Sequence, residues 1–325
     1  MYTIPNVPTA DELIERAFHR AAKVVVADPD HFYRSRKITI AKLQSVTQGL
    51  DSALSAIVRG FPSFDSLHPF QKELLDLLVD LDKLKKALSA PEWARKRIQD
   101  IAGDNLREMH HSRNLGLIEG LRAQTYGRIA SIVKQIKKDL NYLARARERI
   151  RKLPMVFPES PTVVIAGYPN VGKSMLVSKL STAKPAVAPY PFTTKGIIVG
   201  HFVEKWRKYQ VIDTPGLLDR PLNERNDIEL QAVLALRHLA DVLVFLIDPT
   251  DECGATVETQ HELLEQIRKD FPNADIIVVE TKSDILKTGK GTAISAKTGE
   301  GLDALKKDIF ERLKRVKKQA PGDNA

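Results

Sequence analysis

A short apolar run that leads into a glycine-rich turn constrains this chain more than any other part of its sequence. The four residues before Gly167 are apolar and three are β-branched, which predicts a buried strand because the run is too short for a helix. The next residues have the spacing Gly-x-x-x-x-Gly-Lys-Ser, and helical spacing resumes from Met175 to Leu180. A strand, a glycine-rich loop and a helix in this order predict a phosphate-binding loop.

The residue types of this loop indicate its chemistry. Successive backbone N–H groups can surround phosphates, and the helix N-terminus adds partial positive charge. We expect Lys173 to reach the outer phosphates as a catalytic residue and the hydroxyl of Ser174 to bind Mg²⁺. The residues predicted to contact the nucleotide here are Gly167, Tyr168, Pro169, Asn170, Val171, Gly172, Lys173, Ser174 and Met175.

Further motifs follow in the order expected for such a site. Thr194, in preference to Thr193, is predicted to bind Mg²⁺ and to sense the third phosphate in a catalytic role. Asp213 ends a predicted strand, where P-loop enzymes place an acidic Mg²⁺ ligand, and the Gly216 peptide is expected to meet the third phosphate. The predicted base-side residues are Thr281, Lys282, Asp284, Ser295, Ala296 and Lys297.

Asp284, which follows a predicted strand, indicates which base the site binds. Its carboxylate can accept hydrogen bonds from guanine N1–H and the 2-amino group, whereas adenine lacks that pair of donors. The backbone of residues 292–297 can meet guanine O6. The ordered motifs therefore predict an α/β GTP-binding domain with a mostly parallel sheet and helices on both faces.

The first half of the chain shows helical periodicity and no convincing strand. A capping box at Thr9 starts one helix, a third helix is predicted from Phe70 to Leu88, and Pro91 is predicted to open a long helical region. Helices with short connections predict an antiparallel all-α bundle. The predicted organisation is a basic helical bundle at 1–153, a linker at 154–161, a GTPase domain at 162–318 and a disordered tail at 319–325.

The net charge of +9 comes from the first half. Residues 1–157 hold 27 Lys and Arg against 18 Asp and Glu, whereas residues 158–325 hold 23 of each. This excess indicates a polyanionic partner, although an ordinary solvated helix surface would explain it too. The lone Cys253 excludes an intrachain disulfide, and no apolar run approaches the roughly 20 residues that cross a bilayer. We therefore expect a soluble, cytoplasmic protein.

The ordered motifs resemble those of the translation-factor-related GTPases, and Tyr-Pro-Phe-Thr-Thr at 190–194 resembles the Obg group. The helical half, including the basic segment at 34–42, is similar to that of the nucleolar GTP-binding (Nog) family. This resemblance implies assembly of the large ribosomal subunit, with rRNA and ribosomal proteins as partners. Because the chain stops soon after Arg315, it also implies an archaeal-type minimal form. Thr281 departs from the asparagine usual in the family.

Leu217 stands where Ras-like enzymes place the glutamine that orients the attacking water. Leucine cannot orient water, so slow intrinsic hydrolysis is predicted unless another group supplies charge or alignment. In related GTPases without this glutamine, a phosphate-loop asparagine helps to hold K⁺, which implies Asn170 as a potassium ligand. The alternative is that Asn170 only shapes the loop, since asparagine tolerates turn conformations.

Two other functions remain open from the sequence. In the first, Leu217 signifies lost turnover, and the protein is a GTP-loaded scaffold that holds protein partners. In the second, the basic helices bind anionic lipid, but they lack a membrane face rich in Trp and Phe. The preferred prediction is a monomeric GTPase that binds GTP, GDP and Mg²⁺ and no membrane.

Overall fold

The computed structural model describes residues 4–151, 156–188, 190, 196–204, 207–216, 218–219, 233, 235–289 and 291–315. The chain divides into two compact units, which we describe separately. The helical unit comprises Tyr2–Ser63 and Val79–Arg151, and the α/β unit comprises Phe64–Leu78 and Lys152–Ala325. The helices of the first half are α1 (Ala10–Ala22), α2 (His31–Gly60), α3 (Pro69–Val79), α4 (Leu81–His111), α5 (Leu115–Gln135) and α6 (Lys137–Arg151).

The helical unit packs α1, α2, α4, α5 and α6 around one apolar interior, as the predicted bundle requires. The capping box at the start of α1 is confirmed, since Thr9 and Glu12 each accept a hydrogen bond from the other's backbone N–H. Along α2, the stripe of Leu43, Leu50 and Leu54 is at most 1% exposed. Within the described residues, no helix has both the length and the apolar character needed to cross a membrane.

The structure differs from the sequence prediction between residues 70 and 111. The predicted continuous helix from Phe70 to Leu88 is wrong, because Asp80 has a φ of 54° and separates α3 from α4. Aspartate tolerates this left-handed conformation, and the Asp80 carboxylate caps α4 by accepting a hydrogen bond from Lys83 N at 3.0 Å. The predicted helix start at Pro91 is also wrong, since Pro91 lies buried inside α4.

Helix α3 packs in the α/β unit, although α1 and α2 before it and α4, α5 and α6 after it belong to the helical unit. Phe70 and Leu74 are each 2% exposed, and they share an apolar cluster with Leu236, Leu239 and Phe245. Glu73 also lies 2.9 Å from Nε2 of His238. Residues 64–78 therefore depart from the predicted bundle of residues 1–153, because the apolar face of α3 is covered by residues that follow 161.

One sheet of seven strands forms the centre of the α/β unit within the described residues. The strand order is β2-β3-β4-β1-β5-β6-β7, in which β2–β3 and β3–β4 are antiparallel and the other neighbours are parallel. This confirms the predicted mostly parallel sheet. The strands are β1 (Thr162–Ala166), β2 (Ala186–Ala188), β3 (Ile197–Glu204), β4 (Arg207–Asp213), β5 (Val242–Ile247), β6 (Asp275–Glu280) and β7 (Thr292–Ala293). Three helices that the structure describes over their full length in this unit are α7 (Lys173–Leu180), α8 (Val257–Asp270) and α9 (Leu302–Arg315).

Helices cover both faces of this sheet, as predicted. In β1, Val164 belongs to one apolar cluster with Leu263 of α8, whereas Ile165 belongs to another with Leu176 of α7 and Leu305 of α9. Successive side chains of a strand point to opposite faces, so the two clusters lie on opposite sides of the sheet. Because β1, β4, β5 and β6 run parallel, their carboxyl ends meet at one edge, where α/β proteins bind ligands.

Candidate nucleotide-binding site

The loop between β1 and α7 has the backbone that its glycines predict. Gly167 has a φ of 136°, and a Cβ atom there would lie 2.7 Å from the backbone oxygen of Leu246. Gly172, at the N-cap of α7, has a φ of 98°. Only glycine adopts both conformations at little cost, so the loop can pass close to β5 and turn directly into the helix.

Lys173, the first residue of α7, is held against the inside of this loop. Its side chain is buried, with 7% exposure, and Nζ donates hydrogen bonds to the backbone oxygens of Gly167 at 2.7 Å and Tyr168 at 2.6 Å. The ammonium group is therefore fixed by main-chain carbonyls beside the backbone that is predicted to bind phosphates.

Ser174 and Asp213 meet next to this lysine. The Ser174 hydroxyl donates to Oδ2 of Asp213 at 2.5 Å, across the register that pairs Ile165 of β1 with Asp213 of β4. Asp213 is fully buried. Burial raises the pKa of its carboxyl group, against the lowering effects of the Ser174 hydrogen bond and the Lys173 charge. The sequence placed both residues in one metal site, and the structure puts them in direct contact.

This pair has the character of a Mg²⁺ site. Oδ1 of Asp213 is buried and has no hydrogen-bond partner among the described residues. A buried carboxylate oxygen without a partner is costly unless a cation or water meets it. Within the described residues, no group of three His, Cys, Asp or Glu side chains could hold a metal. One carboxylate, one hydroxyl and the phosphates of a nucleotide are a ligand set that suits Mg²⁺, which keeps several waters.

The other predicted loop residues divide into buried and exposed side chains. Val171 is fully buried in the apolar core, so only its backbone can face a phosphate. Tyr168 is half-buried and packs against the core, whereas Pro169 and Asn170 are exposed. Asn170 adopts a φ of 63°, which fits a loop-shaping role and also leaves its amide accessible. Met175 is 51% exposed.

The segment after β4 is tied to the phosphate loop. Gly167 N donates to the backbone oxygen of Leu218 at 3.1 Å, and Gly216 N donates to Oδ2 of Asp219 at 2.8 Å. Gly216 has a φ of 79°. The predicted contact of its N–H with a third phosphate therefore requires the donor to exchange the Asp219 carboxylate for phosphate oxygen. The predicted positions Thr193, Thr194 and Leu217 lie outside the described residues.

The two predicted base-binding segments converge at the carboxyl end of β6. Ser283 N donates to the backbone oxygen of Ile294 at 3.1 Å, which joins the segment after β6 to the segment after β7. Asp284 is exposed, and the hydrogen bond from the Ser295 side chain lowers the pKa of its carboxyl group. Ser295 is itself fully buried. Asp284 therefore presents an ionised carboxylate beside the loop of Ala296, which is half-buried, and Lys297, which is exposed.

Thr281 and Lys282 bond to the end of β5 rather than facing open solvent. Both the N–H and the hydroxyl of Thr281 donate to the backbone oxygen of Ile247, at 2.8 and 3.2 Å. Lys282 Nζ lies 2.7 Å from Oδ2 of Asp248. The sequence motifs assigned no role to Asp248. Its position at the end of a buried parallel strand, which Asp213 shares, was the signal that could have identified it.

A phosphate loop, a hydrogen bond from Ser174 to buried Asp213 and an exposed aspartate after β6, all at the carboxyl edge of a mostly parallel sheet, are features of the P-loop GTPase fold. The family model described as the NOG1 N-terminal helical domain matches residues 2–156, and the 50S ribosome-binding GTPase model matches residues 162–282. A protein of Methanocaldococcus jannaschii is 39% identical over 287 residues, which cover 87% of this chain and 80% of that protein. The chain belongs to the nucleolar GTP-binding protein 1 (Nog) family.

Eukaryotic members of the family are also similar over most of this chain. Nucleolar GTP-binding protein 1 of Saccharomyces cerevisiae is 33% identical over 316 residues, covering 96% of this chain and 47% of the relative. The protein of that name in Drosophila melanogaster is 38% identical over 283 residues, covering 86% and 43%. The chain therefore spans less than half the length of these two curated relatives. The resemblance that the motifs indicated is confirmed.

Proposed function

We propose that this protein binds GTP and GDP together with Mg²⁺, hydrolyses GTP slowly, and acts as a nucleotide-controlled factor in assembly of the large ribosomal subunit. The observation that carries this proposal is the contact of Ser174 with buried Asp213 beside Lys173, at the sheet edge that also bears Asp284. The match to a family described as a 50S ribosome-binding GTPase supports the ribosomal role.

Each residue of the site has a distinct task in this proposal. Lys173 and the loop N–H groups bind the phosphate oxygens and offset their negative charge. Ser174 and Asp213 would hold Mg²⁺, with Thr194 as a further ligand, and the ion would neutralise charge on the phosphates. Asp284 selects guanine by accepting hydrogen bonds from N1–H and the 2-amino group.

Phosphate release from GTP by the full chain, with and without isolated large ribosomal subunits, tests the proposal. We expect slow release alone and faster release with subunits, because a partner can supply the alignment that Leu217 cannot. Tight GTP binding without release in either condition would favour the scaffold alternative. Co-sedimentation with subunits in the GTP and GDP forms tests the nucleotide control of the ribosomal contact.

Potassium is proposed to accelerate hydrolysis through Asn170. The exposed amide of Asn170 is available to a cation beside the phosphate loop, where positive charge would stabilise the transition state as an arginine finger does. At matched ionic strength we expect hydrolysis to be about tenfold faster or more in KCl than in NaCl.

The matched variants for potassium are Asn170→Gly and Asn170→Ala. Glycine keeps the φ of 63° at no steric cost while removing the side-chain amide, whereas alanine removes the side-chain amide and also strains the loop. We expect Asn170→Gly to lose the difference between the two salts. Equal wild-type rates in KCl and NaCl would reject the potassium role, and stimulation that survives in Asn170→Gly would leave Asn170 as a loop-shaping residue only.

The helical unit is proposed to contact rRNA through α6. Lys138, Arg145 and Arg149 are exposed and are spaced by seven and four residues, so they form one face of the helix, here called the basic stripe. Arg147 is not part of it, because its guanidinium donates to the backbone oxygen of Ile4 and its side chain is 14% exposed. A basic stripe can neutralise phosphates, whose counterions are then released.

Replacing the three residues of the basic stripe with glutamine in the full chain is expected to weaken binding to large-subunit rRNA. Each lost phosphate contact should make the negative slope of log K against log salt less steep by about 0.7 to 0.9. The control removes three exposed lysines of the α/β unit, Lys179, Lys306 and Lys307, and should change the slope little. A wild-type affinity that does not vary with salt would favour a protein partner instead.

A further inference from the structure

Asp248 follows the last residue of β5 and is fully buried, yet both of its carboxylate oxygens are satisfied. Oδ1 accepts hydrogen bonds from Thr250 N at 3.0 Å and Thr250 Oγ1 at 2.6 Å. Oδ2 accepts one from Cys253 N at 3.1 Å and lies 2.7 Å from Lys282 Nζ. Burial raises the pKa of this carboxyl group, but the hydrogen bonds from Lys282 and Thr250 outweigh it, so the pKa is lowered.

The main chain of Asp248 is also fixed, by the buried side chain of Gln260 in α8. Gln260 Oε1 accepts from Asp248 N at 2.7 Å, and Gln260 Nε2 donates to the Asp248 backbone oxygen at 3.0 Å. Because the N–H and the carbonyl group of Asp248 are both held by hydrogen bonds, its carboxylate is a rigid anchor for the groups that bind its oxygens. Three of its four partners lie in the adjoining segment, and the fourth is Lys282, 34 residues away.

Lys282 belongs to the turn that presents Asp284. It has a φ of 56°, and its backbone oxygen accepts from Ile285 N at 2.8 Å and Leu286 N at 3.1 Å, so it forms the first corner of that turn. Its ammonium group has a second carboxylate partner, Glu252, at 2.9 Å. The Glu252 side chain is 57% exposed, whereas that of Asp248 is 0% exposed. Water therefore screens the ion pair of Lys282 with Glu252 but not its ion pair with Asp248.

We propose that Asp248 is a positioning residue for guanine recognition. Its ion pair with Lys282 joins the end of β5 to the turn after β6 and thereby fixes where the Asp284 carboxylate meets the base. This inference rests on the proposed guanine-nucleotide binding. It assigns Asp248 no contact with the nucleotide, since it acts through Lys282.

The test compares Asp248→Asn with the wild-type full chain in titrations with GTP and ITP. ITP lacks the 2-amino group, so the ratio of the two affinities reports how well Asp284 is placed. We expect GTP affinity to fall about tenfold and the GTP-over-ITP ratio to fall several-fold, because a charged hydrogen bond is lost from the turn. A merely structural role for Asp248 would lower both affinities and leave their ratio unchanged.

The matched control is Glu252→Gln, which removes the same charge from the exposed partner of Lys282. It should retain the wild-type ratio. Lys282→Met breaks the same link from the other end, and the double variant with Asp248→Asn should lose no more than Lys282→Met alone, since both changes remove one interaction.

If Asp248→Asn fails to fold, Lys282→Met carries the test. A wild-type ratio in Lys282→Met, a wild-type ratio in a folded Asp248→Asn, or additive losses in the double variant would overturn the inference. Absence of GTP binding by the wild-type protein would instead contradict the proposed function.

Discussion

The Asp284→Asn variant is expected to lose about 10²- to 10⁴-fold in GTP affinity, because two hydrogen bonds between a carboxylate and guanine are disrupted. The asparagine amide donates where the carboxylate accepted. Xanthine has a carbonyl oxygen in place of the 2-amino group, so the variant should bind XTP in preference to GTP. Displacement of labelled GTP by unlabelled XTP and GTP, for the wild type and the variant, measures the change in preference.

The control for this prediction is Asp303→Asn, the same change at an exposed aspartate in the first turn of α9. It should leave the preference for guanine unchanged. The structure supports the experiment because Asp284 is exposed and is hydrogen-bonded by Ser295, so an amide can replace its carboxylate without burying a new polar group. A guanine preference that persists in Asp284→Asn would remove Asp284 from the base site.

Local signals were sufficient to predict the α/β fold. The four apolar residues before Gly167 form the central strand β1, because a short apolar run ended by glycine has few other solutions. The contact of Ser174 with Asp213 followed from the rule that parallel strands end at one edge of the sheet.

The position of α3 could not be predicted from the sequence. Its stripe of Phe70, Leu74 and Leu77 shows which face is apolar, but an apolar face packs equally well against a helix bundle or a sheet. The break at Asp80 was missed for a related reason. The leucine spacing continues through it, and only the left-handed backbone of one residue interrupts the helix.

The ion pair of Asp248 with Lys282 could not be predicted from the sequence either. The two residues are 34 positions apart, and their contact depends on the register of β5 with β6, which pairs Ile247 with Glu280. A charge at a strand end is usually a solvated residue, and only its burial in the structure distinguishes Asp248 from the exposed Asp251 nearby. Burial at a strand end is set by the loops that cover it.

The Lys173→Ala variant is expected to lose GTP hydrolysis by at least about 10²-fold, with weaker nucleotide binding, because it lacks the ammonium group that we propose binds the phosphates. The side chain is buried and donates to two backbone oxygens, so alanine also leaves those oxygens without their donor. Lys173→Met lacks the same donor but keeps an apolar stem, so its comparison with Lys173→Ala separates loss of the ammonium group from loss of the packing of the buried stem. Nucleotide titration, phosphate release and thermal unfolding should be measured for both variants.

The matched control is Lys179→Ala, which removes an exposed lysine from the same helix α7. It should retain wild-type binding and hydrolysis, because its ammonium group is not part of the loop. In Lys173→Met and Lys173→Ala, the helical unit should stay folded, since α7 belongs to the α/β unit. Loss of hydrolysis in Lys173→Met with an unchanged unfolding temperature would assign the effect to the missing ammonium group and not to a destabilised fold. A wild-type hydrolysis rate in either Lys173 variant would contradict the assignment of this loop to the phosphates.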